Sequence, residues 1–398
     1  MSEKRKSWLP AGGSNLFQEI KRRTAEAEAA GKKVWKLTIG QPAGPALGTA
    51  RKYAAEMILR DDECVHEYQD NGSPGILGFA EQFVRLHQKA DLPQGLSYLP
   101  VPGTKPMLGL IPMACGLIGD LVETLKVGTM TDPGYPTPAV WCGYLGADRY
   151  SLPINDDNGF LFSVEDIANY TDLLMLNYPH NPTGQVADKD WWRKICEYCS
   201  ENEIRLFNDS AYSILSYNDG SCNLAEVAHE FPELSWCEAY SASKVIGNGT
   251  GWRVGAMVGA SDFIGDIATI KGNTDSGFVA PMAYGVLKCM QEDMSSILAS
   301  KDVYRTRINI LTNILEANGM RLAVTPSAGF FTLWLAPKEA FGQSIKDAEE
   351  FNYLMIERTG VAGVHFGRYI RYAVTSPVNK VEWISAIDKA FQEADVKY

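Results

Sequence analysis

Short apolar runs alternate along this chain with longer stretches in which apolar residues recur every three or four positions. The longer stretches are typical of helices that bury one face. The first is expected to begin at a Ser or Asn cap and to end at Gly31, and the second has Pro74 in its first turn. The pattern predicts helices at 14–32, 73–90, 106–118, 283–318, 344–359 and 380–395.

The short apolar runs predict strands, most of which end in polar residues. They span 34–40, 173–179, 204–210, 236–243 and 254–260. Helices separate several of them, and this alternation indicates the α/β class, with a mostly parallel central sheet flanked by helices.

The C-terminal part has a different pattern, in which long helices surround two strands at 329–337 and 368–376. This indicates a smaller α+β domain. The length of 398 residues exceeds what one hydrophobic core usually serves. We therefore predict a large domain over 46–290 and a small domain over 291–398, with an N-terminal arm over 1–45 that contributes to the small domain.

Composition narrows the classes of partner. The formal net charge is −11, so the surface repels phosphate backbones and nucleic acid is not expected as a partner. The apolar run at 107–119 is too short for a membrane span, and no export signal is visible, so we expect a cytoplasmic protein with reduced thiols. Cys196 and Cys199 lack a second pair, and the five histidines are scattered, so no metal site is expected.

Candidate chemistry lies where the parallel strands end, because ligands of such sheets bind beyond the carboxyl ends of the strands. Three segments stand there: 177–183, 208–212 and 241–244. Upstream, Gly103, Thr104 and Lys105 precede a predicted helix, whose free N–H groups could cradle a phosphate. A simple turn is the alternative explanation for those three residues.

Several side chains in these segments suit a flat, charged ligand. Tyr135, in DPGYP, could stack on a ring or be a buried structural tyrosine. Asn181, in NYPHNPTG, could hydrogen-bond an aromatic hydroxyl. Asp209, followed by Tyr212, is either a helix cap or a carboxylate that needs a cationic partner such as a protonated ring nitrogen.

Lys244 follows a strand, stands beside Ser241 and Ser243, and precedes a glycine-rich loop. A lysine amine can form a Schiff base with an aldehyde cofactor if its surroundings lower its pKa. Pyridoxal 5′-phosphate requires an amine of this kind, an acidic partner for its ring nitrogen and a phosphate site.

The ordered motifs resemble the class I aminotransferases, the fold type I family of pyridoxal-phosphate enzymes. The resemblance runs from about Leu37 to Ser376, and it implies that the large domain binds the cofactor. It is carried by LTIGQPAGP, EYQDNGSPG, PGTKPML, DPGYP, NYPHNPTGQV, NDSAY, SASK with GWRVG, and YIRYAVTS.

The resemblance implies roles around the cofactor ring. Lys244 would carry the cofactor and act as general acid and base, and Asp209 would pair with the ring nitrogen. Asn181 and Tyr212 would hold the 3-oxygen, and Tyr135 would stack on the ring.

Further roles concern the phosphate and the substrate. Tyr68 would reach the phosphate of a neighbouring subunit, which implies a homodimer with shared sites. Arg371 would bind the α-carboxylate of the substrate, with Gly40 where the backbone closes over it. The remaining phosphate ligands would be Gly103, Thr104, Lys105, Ser241 and Arg253.

Two departures from the family pattern bear on these assignments. The loop from Lys244 to Arg253 looks one residue longer than usual, and the stretch 360–374 is compressed. The compression should leave the side-chain pocket more open or let another segment fill it. His365 and Arg368 could then meet a polar or charged side-chain end of the donor, or else be packed and solvated residues.

The expected activity is transfer of an amino group from an L-amino acid to a 2-oxo acid such as 2-oxoglutarate. The alternatives are a lyase or decarboxylase on the same scaffold, and a non-catalytic regulatory relative.

Overall fold

The computed structural model describes residues 16–72, 74–116, 124–275 and 277–398. The helices are α1 (Leu16–Ala29), α2 (Gly48–Ile58), α3 (Glu63–His66), α4 (Phe79–Arg85), α5 (Thr104–Ala114), α6 (Thr137–Leu145), α7 (Lys189–Glu201), α8 (Ala225–Ala228), α9 (Ser261–Lys271), α10 (Ala280–Glu292), α11 (Met294–Ala317), α12 (Ala348–Thr359) and α13 (Val381–Ala394). The strands are β1 (Trp35–Lys36), β2 (Ser97–Val101), β3 (Lys126–Thr129), β4 (Asp148–Ser151), β5 (Leu173–Leu176), β6 (Arg205–Asp209), β7 (Trp236–Ser241), β8 (Gly255–Gly259), β9 (Leu322–Val324), β10 (Phe331–Leu335), β11 (Glu339–Ala340), β12 (Gln343–Ser344), β13 (Val361–Ala362), β14 (Val364–Phe366) and β15 (Tyr369–Ala373).

The large sheet has the strand order β2-β8-β7-β6-β5-β3-β4. Neighbouring strands from β7 to β4 are parallel, whereas β8 is antiparallel to both β7 and β2. The α/β class and the four predicted strands from 173 onwards are confirmed, although the pattern did not reveal that β8 runs backwards. β3 and β4 were not predicted, because β3, with the sequence KVGT, has a single large apolar residue and β4, with the sequence DRYS, is polar and only half-buried.

Two helix predictions need correction. The predicted helix 73–90 is wrong as a single element, because Gly78 turns the chain with φ of 69° and α4 begins only after it. The predicted helix 283–318 is two helices, which are interrupted at Asp293. The expected start of the first helix at 14–15, and the expected end of the third at 117–118, lie outside the described residues.

A second, antiparallel sheet has the order β14-β15-β10-β9. The N-terminal segment joins it, because the Leu37 N–H donates to the Ala362 carbonyl and the Leu37 carbonyl accepts from the Ala373 N–H. Part of the predicted arm thus contacts this sheet, while its contribution to a small domain and the domain boundaries stay predictions.

Helices cover the large sheet and pack closely against one another. None of the helices in the described ranges is long and apolar enough to cross a membrane. α2 and α10 approach at Gly285, where an added Cβ would overlap the carbonyl oxygen of Ala50 and the side chain of Ala54. Gly265, on α9, is exposed and has open space around its Cα.

We expect Gly285→Ala to lower the free energy of unfolding by about 1–3 kcal/mol, because the two helices must separate. The matched change Gly265→Ala should raise it by about 0.5–1 kcal/mol, because alanine favours helix and meets nothing there. Urea denaturation of both variants measures the difference. Equal effects of the two substitutions would contradict the close packing of α2 and α10.

Candidate active site

The carboxyl ends of β5, β6 and β7 bring three predicted segments to one edge of the large sheet. Asp209 is the last residue of β6, and it lies opposite Ala239 of β7 in the strand register. Two residues beyond Ala239, β7 ends at Ser241, and the turn that follows carries Lys244. Because parallel strands end at the same edge, the carboxylate and the amine become neighbours.

Asp209 is buried, and its two oxygens have different surroundings. Oδ2 lies 3.4 Å from the Thr104 hydroxyl, whereas Oδ1 has no hydrogen-bond partner among the described residues. Burial raises the pKa of Asp209 to about 6, while Thr104 and the charge of Lys244 act in the opposite direction. An unsatisfied buried acceptor is costly, so this oxygen suits a ligand that brings an N–H, such as a protonated pyridine nitrogen.

The Lys244 amine is also largely removed from water. Burial lowers its pKa to about 8, the negative charge of Asp209 raises it, and the positive charge of Arg253 lowers it further. The turn is fixed by Ser241, whose hydroxyl oxygen accepts from the Ser243 N–H at 3.2 Å. The structure thus holds a lysine that is partly neutral near physiological pH, as covalent chemistry on an aldehyde requires.

The proposed phosphate cradle forms at the beginning of α5. Gly103 has φ of 80°, and an added Cβ would lie 2.6 Å from Nη2 of Arg253. The Arg253 guanidinium is fixed by hydrogen bonds from Nη2 to the Pro102 carbonyl at 2.7 Å and from Nη1 to the Thr250 carbonyl at 2.8 Å. Despite the longer loop, Arg253 therefore reaches the N-terminus of the helix, where free N–H groups and a cation together favour an anion.

Thr104 and Lys105 were both expected to bind the phosphate, but their side chains lie in different surroundings. The Thr104 hydroxyl is directed at Asp209, as described above, so its contribution to an anion would come from its backbone N–H. The Lys105 side chain is exposed and lines a large cavity next to the site.

The NYPHNPTG loop is tied to Asp209 by Asn177, which the sequence analysis did not single out. The Asn177 amide donates to the Asp209 carbonyl at 2.7 Å, and its side-chain oxygen accepts from the Asn181 N–H at 3.1 Å. The peptide bonds Tyr178–Pro179 and Asn181–Pro182 are both cis. One asparagine side chain thereby sets the position of Asn181 relative to Asp209.

A second polar layer lies beneath this loop; it contains Asn208, from the predicted segment 208–212, and Glu238, which was not predicted. Asn208 accepts from the Tyr178 N–H and donates to the Glu238 carboxylate, both at 2.8 Å. Glu238 also accepts from the Ala225 N–H at 2.8 Å and from the Tyr240 hydroxyl at 2.5 Å. Burial raises the pKa of Glu238 to about 7. A polar residue within an apolar strand, such as Glu238 in WCEAYS, was the available signal.

Arg371 reaches the site from β15 of the second sheet and is buried. Nη1 donates to the Asn181 side-chain oxygen and Nη2 to the Thr38 carbonyl, each at 3.0 Å. Nε has no partner among the described residues. Burial lowers the pKa of Arg371 to about 10, because no carboxylate compensates its charge. A site of this kind favours an incoming carboxylate.

Two tyrosines complete the group. Tyr212 is buried, which raises its pKa. The charge of Arg371 lowers this pKa, and Asp209 and Tyr135 raise it further. Tyr212 is therefore close enough to interact with each of these three side chains. Tyr135 is half-buried and lines a narrow crevice together with Asn177 and Asp209.

The structure does not bring Tyr68 and Gly40 into this cluster of buried and half-buried side chains. The Tyr68 side chain is 77% exposed. Gly40 is exposed at the end of the N-terminal segment, where an added Cβ would lie 3.8 Å from the ring of Phe331.

A cavity of about 1300 Å³ opens beside Tyr135. Its wall does not include Lys244, Asp209 or Arg371, so it adjoins the cluster rather than containing it. Residues of α1 and of the compressed stretch both line the cavity, while the effect of the compression on the side-chain pocket stays a prediction. The charged residues of the wall are Glu19, Lys105, Asp132, Asp157, Glu349 and Arg368.

The two specificity candidates of the compressed stretch are already engaged. Arg368 pairs with Asp156, and its Nε donates to the Tyr369 hydroxyl at 3.0 Å. Burial lowers the pKa of His365, whose Nε2 lies 4.0 Å from Glu349. Arg368 is therefore not the unpaired cation that a donor with an acidic end would require.

The family model for class I and II aminotransferases matches residues 32–379. The chain belongs to this family. It is a pyridoxal-phosphate-dependent aminotransferase, and the lyase, decarboxylase and regulatory alternatives are not favoured.

Relatives and solved structures agree with this assignment. The LL-diaminopimelate aminotransferase of Methanocaldococcus jannaschii is 33% identical over 279 residues, which are 68% of this chain and 64% of that protein. The enzyme of the same name from Syntrophobacter fumaroxidans is 28% identical over 383 residues, 92% of this chain and 93% of its own.

Among solved structures, substrate-bound BacF from Bacillus subtilis superimposes with a TM-score of 0.82 at 20% identity, covering 97% of this chain and 96% of its own. The aspartate aminotransferase of Rhizobium meliloti gives 0.83 at 18% identity, covering 99% of both chains. At these identities the two structures support the fold type I architecture.

The charges around Lys244 make its titration testable in the cofactor-free aminotransferase. Acetylation at Lys244, followed by mass spectrometry across a pH series, should show a midpoint of about 8, against about 10.4 for exposed lysines in the same sample. Asp209→Asn should lower the midpoint, because it removes the charge that favours the ammonium form, and Arg253→Gln should raise it. An ordinary midpoint that neither substitution moves would contradict the described electrostatics.

Proposed function

We propose that the enzyme moves an amino group from an L-amino acid to a 2-oxo acid such as 2-oxoglutarate, with Lys244 as the covalent attachment point. The observation that carries this proposal is the pair at the sheet edge: a buried carboxylate with one unsatisfied oxygen, beside an amine whose pKa is lowered to about 8. Bound pyridoxal phosphate supplies an electron sink for the negative charge left when the substrate loses its α-proton.

Asp209 would keep the ring nitrogen protonated. Its Oδ1 is the acceptor that this N–H needs, and a cation at that place would keep the carboxylate ionised although its pKa is raised to about 6. Asn181 and Tyr212 would hold the 3-oxygen of the ring, and Tyr135 would stack on its face.

Anion binding at the other end would fix the cofactor. Backbone N–H groups of Thr104 and Lys105, the Ser241 hydroxyl and the Arg253 guanidinium offer donors around Gly103. Gly103 itself keeps the approach to the backbone open, because any side chain there would meet Arg253.

Lys244 would also move the proton. In its neutral form the amine can accept the α-proton of the bound amino acid, and a pKa of about 8 leaves a useful neutral fraction at neutral pH. We therefore assign Lys244 as the general acid and base.

Arg371 would bind the α-carboxylate that all amino-acid donors share. Three of its five N–H groups, including Nε, make no hydrogen bond to the described residues, and its planar fork matches a carboxylate. It would therefore set the class of substrate, while the identity of the donor depends on the cavity.

The large cavity favours a long donor with a charged end. Its volume of about 1300 Å³ far exceeds the side chain of alanine or aspartate, and its wall carries charges of both signs. The two relatives described above are named for LL-diaminopimelate, whose distal end carries an ammonium and a carboxylate. We propose a donor of this kind, with the exposed Lys105 side chain meeting the distal carboxylate in place of the paired Arg368.

We further propose a homodimer with shared sites in the cytoplasm. Tyr68 is exposed, and large apolar side chains at the end of α2 and just before α4 and α10 are exposed as well, of the kind that an interface buries. The exposed fractions support this: Ile58 51%, Leu59 81%, Tyr68 77%, Leu77 76% and Val279 48%. All eight cysteines are free thiols, in keeping with a reducing compartment.

A panel of donors tests the assigned substrate roles. With 2-oxoglutarate as acceptor, LL-diaminopimelate should exceed aspartate, alanine and phenylalanine in kcat/KM, and Lys244→Ala should abolish turnover. Arg371→Ala should weaken every donor alike, by about 2–5 kcal/mol in transition-state binding. Lys105→Met should penalise only donors with a distal carboxylate, while the exposed control Lys338→Met leaves the ranking unchanged. A ranking that Lys105→Met leaves intact would place selectivity elsewhere.

Subunit mixing tests the shared site. Lys244→Ala protein is expected to be inactive, and Tyr68→Ala protein to retain its cofactor poorly. Mixed dimers of the two should regain activity above the sum of the parents, because one of their two sites has both wild-type residues. Sedimentation showing an active monomer at micromolar concentration, or a mixture without gain, would rule out the sharing.

A further inference from the structure

Arg371 presents a physical problem that its hydrogen bonds do not solve. The guanidinium is buried, donates hydrogen bonds to the neutral oxygens of Asn181 and Thr38, and keeps Nε without a hydrogen-bond partner among the described residues. A buried cation without a counter-charge is unfavourable. An acidic neighbour would solve this problem, but it would compete with the carboxylate of the substrate.

Instead of an acidic neighbour, the face of an aromatic ring, that of Phe331, lies beside the Arg371 guanidinium. The central carbon of the Arg371 guanidinium is 4.3 Å from the centre of the Phe331 ring, closer than to the rings of Phe366 at 5.5 Å and Phe17 at 6.0 Å. The negative face of a ring attracts a cation without neutralising it, and the attraction grows when both are removed from water. Phe331 is 1% exposed.

Strand register brings the two residues together. Phe331 of β10 pairs with Ala373 of β15, and Leu333 pairs with Arg371. Phe331 and Arg371 are therefore diagonal neighbours on one face of the sheet, within reach for an aromatic and a long side chain.

The same ring is fixed from its other sides. It packs edge-to-face against Phe330, with centroids 4.8 Å apart, and against Tyr212, with centroids 5.8 Å apart. Its Cζ is the atom nearest to the position that a Cβ on Gly40 would occupy. A ring held in this way cannot turn away from the guanidinium without disturbing its neighbours.

We propose that Phe331 is a positioning residue that holds the Arg371 guanidinium charged and oriented for a carboxylate, in place of an acidic partner. The proposal rests on the proposed role of Arg371 in binding the α-carboxylate. It assigns to Phe331 an effect on carboxylate affinity, and none on the attachment of the cofactor.

The test compares two neighbouring phenylalanines in the holoenzyme. Phe331→Leu removes the ring face, whereas Phe330→Leu removes a ring from the same core, where Phe330 also packs against Tyr212. Two readouts apply: KM and kcat for amino-acid donors, and the dissociation constant of propionate, an unreactive carboxylate, measured by broadening of its NMR signals.

Phe331→Leu should raise KM for all donors and the dissociation constant of propionate by about 10- to 30-fold, as expected for a desolvated cation–π contact. The kcat at saturation and the cofactor absorbance should change little, and Phe330→Leu should leave propionate binding within about twofold. If Phe331→Leu does not fold, Phe331→Met, which also lacks the ring, takes its place. Equal effects of the two phenylalanine substitutions on propionate binding would overturn the proposal.

A double-mutant cycle separates this proposal from the role of Arg371 itself. In an Arg371→Met background, Phe331→Leu should no longer change propionate binding, because the partner of the ring is gone. If Arg371→Met alone leaves propionate binding unchanged, the proposed role of Arg371 fails. If Arg371→Met weakens binding but the effect of Phe331→Leu persists in its background, the positioning role alone fails.

Discussion

A carboxylate buried with one unsatisfied oxygen is the constraint on which this site depends. Asp209 lies at the end of a central strand, where water cannot compensate its charge, and burial raises its pKa to about 6. Burial has the opposite effect on the pKa of the neighbouring lysine, Lys244, which it lowers to about 8. Burial thus shifts both groups toward their neutral forms, and a bound cofactor with a protonated ring nitrogen would favour the charged carboxylate. The described residues leave one oxygen of this buried carboxylate without a hydrogen bond, which is typical of a binding site.

Such a site requires rigid supports, and these are polar side chains within the sheet. Asn177 fixes the loop that carries Asn181, and Asn208 bridges that loop to Glu238 on the next strand. These contacts are made by short, buried side chains with good geometry, so the supports lose little entropy when the ligand binds. In this aminotransferase fold, the side chains proposed to bind the cofactor lie at strand ends, and the polar side chains that support them lie one layer below.

Much of this arrangement could be predicted from the sequence, for a physical reason. The residues that we propose contact the cofactor stand in short motifs at strand ends, so Asp209, Asn181 and Lys244 were visible from local pattern. Their supports were not, because the partners are distant in the chain: Phe331 contacts Arg371 through strand register, and Asn208 meets Glu238 across neighbouring strands. The predicted helix boundaries were wrong where tertiary packing determines them, as at Gly78. The pairing of Arg368 with Asp156 was not visible from local pattern, because the two residues are 212 positions apart. Subunit contacts involve a second chain and stay predictions.

The hydrogen bond from Arg371 to the Thr38 carbonyl joins residues 333 positions apart, and β1 pairs with β13 over a similar separation. On a ribosome that adds about 5–20 residues per second, Thr38 is made roughly 15–70 s before its partner. The large sheet, whose strands lie between residues 97 and 259, can be complete during that interval. The early segment therefore lacks its partner strands during that interval, and Arg371 can form its hydrogen bond to the Thr38 carbonyl only after the large sheet can be complete. Synthesis of β15, rather than formation of the large sheet, is thus the event that completes the surroundings of Arg371.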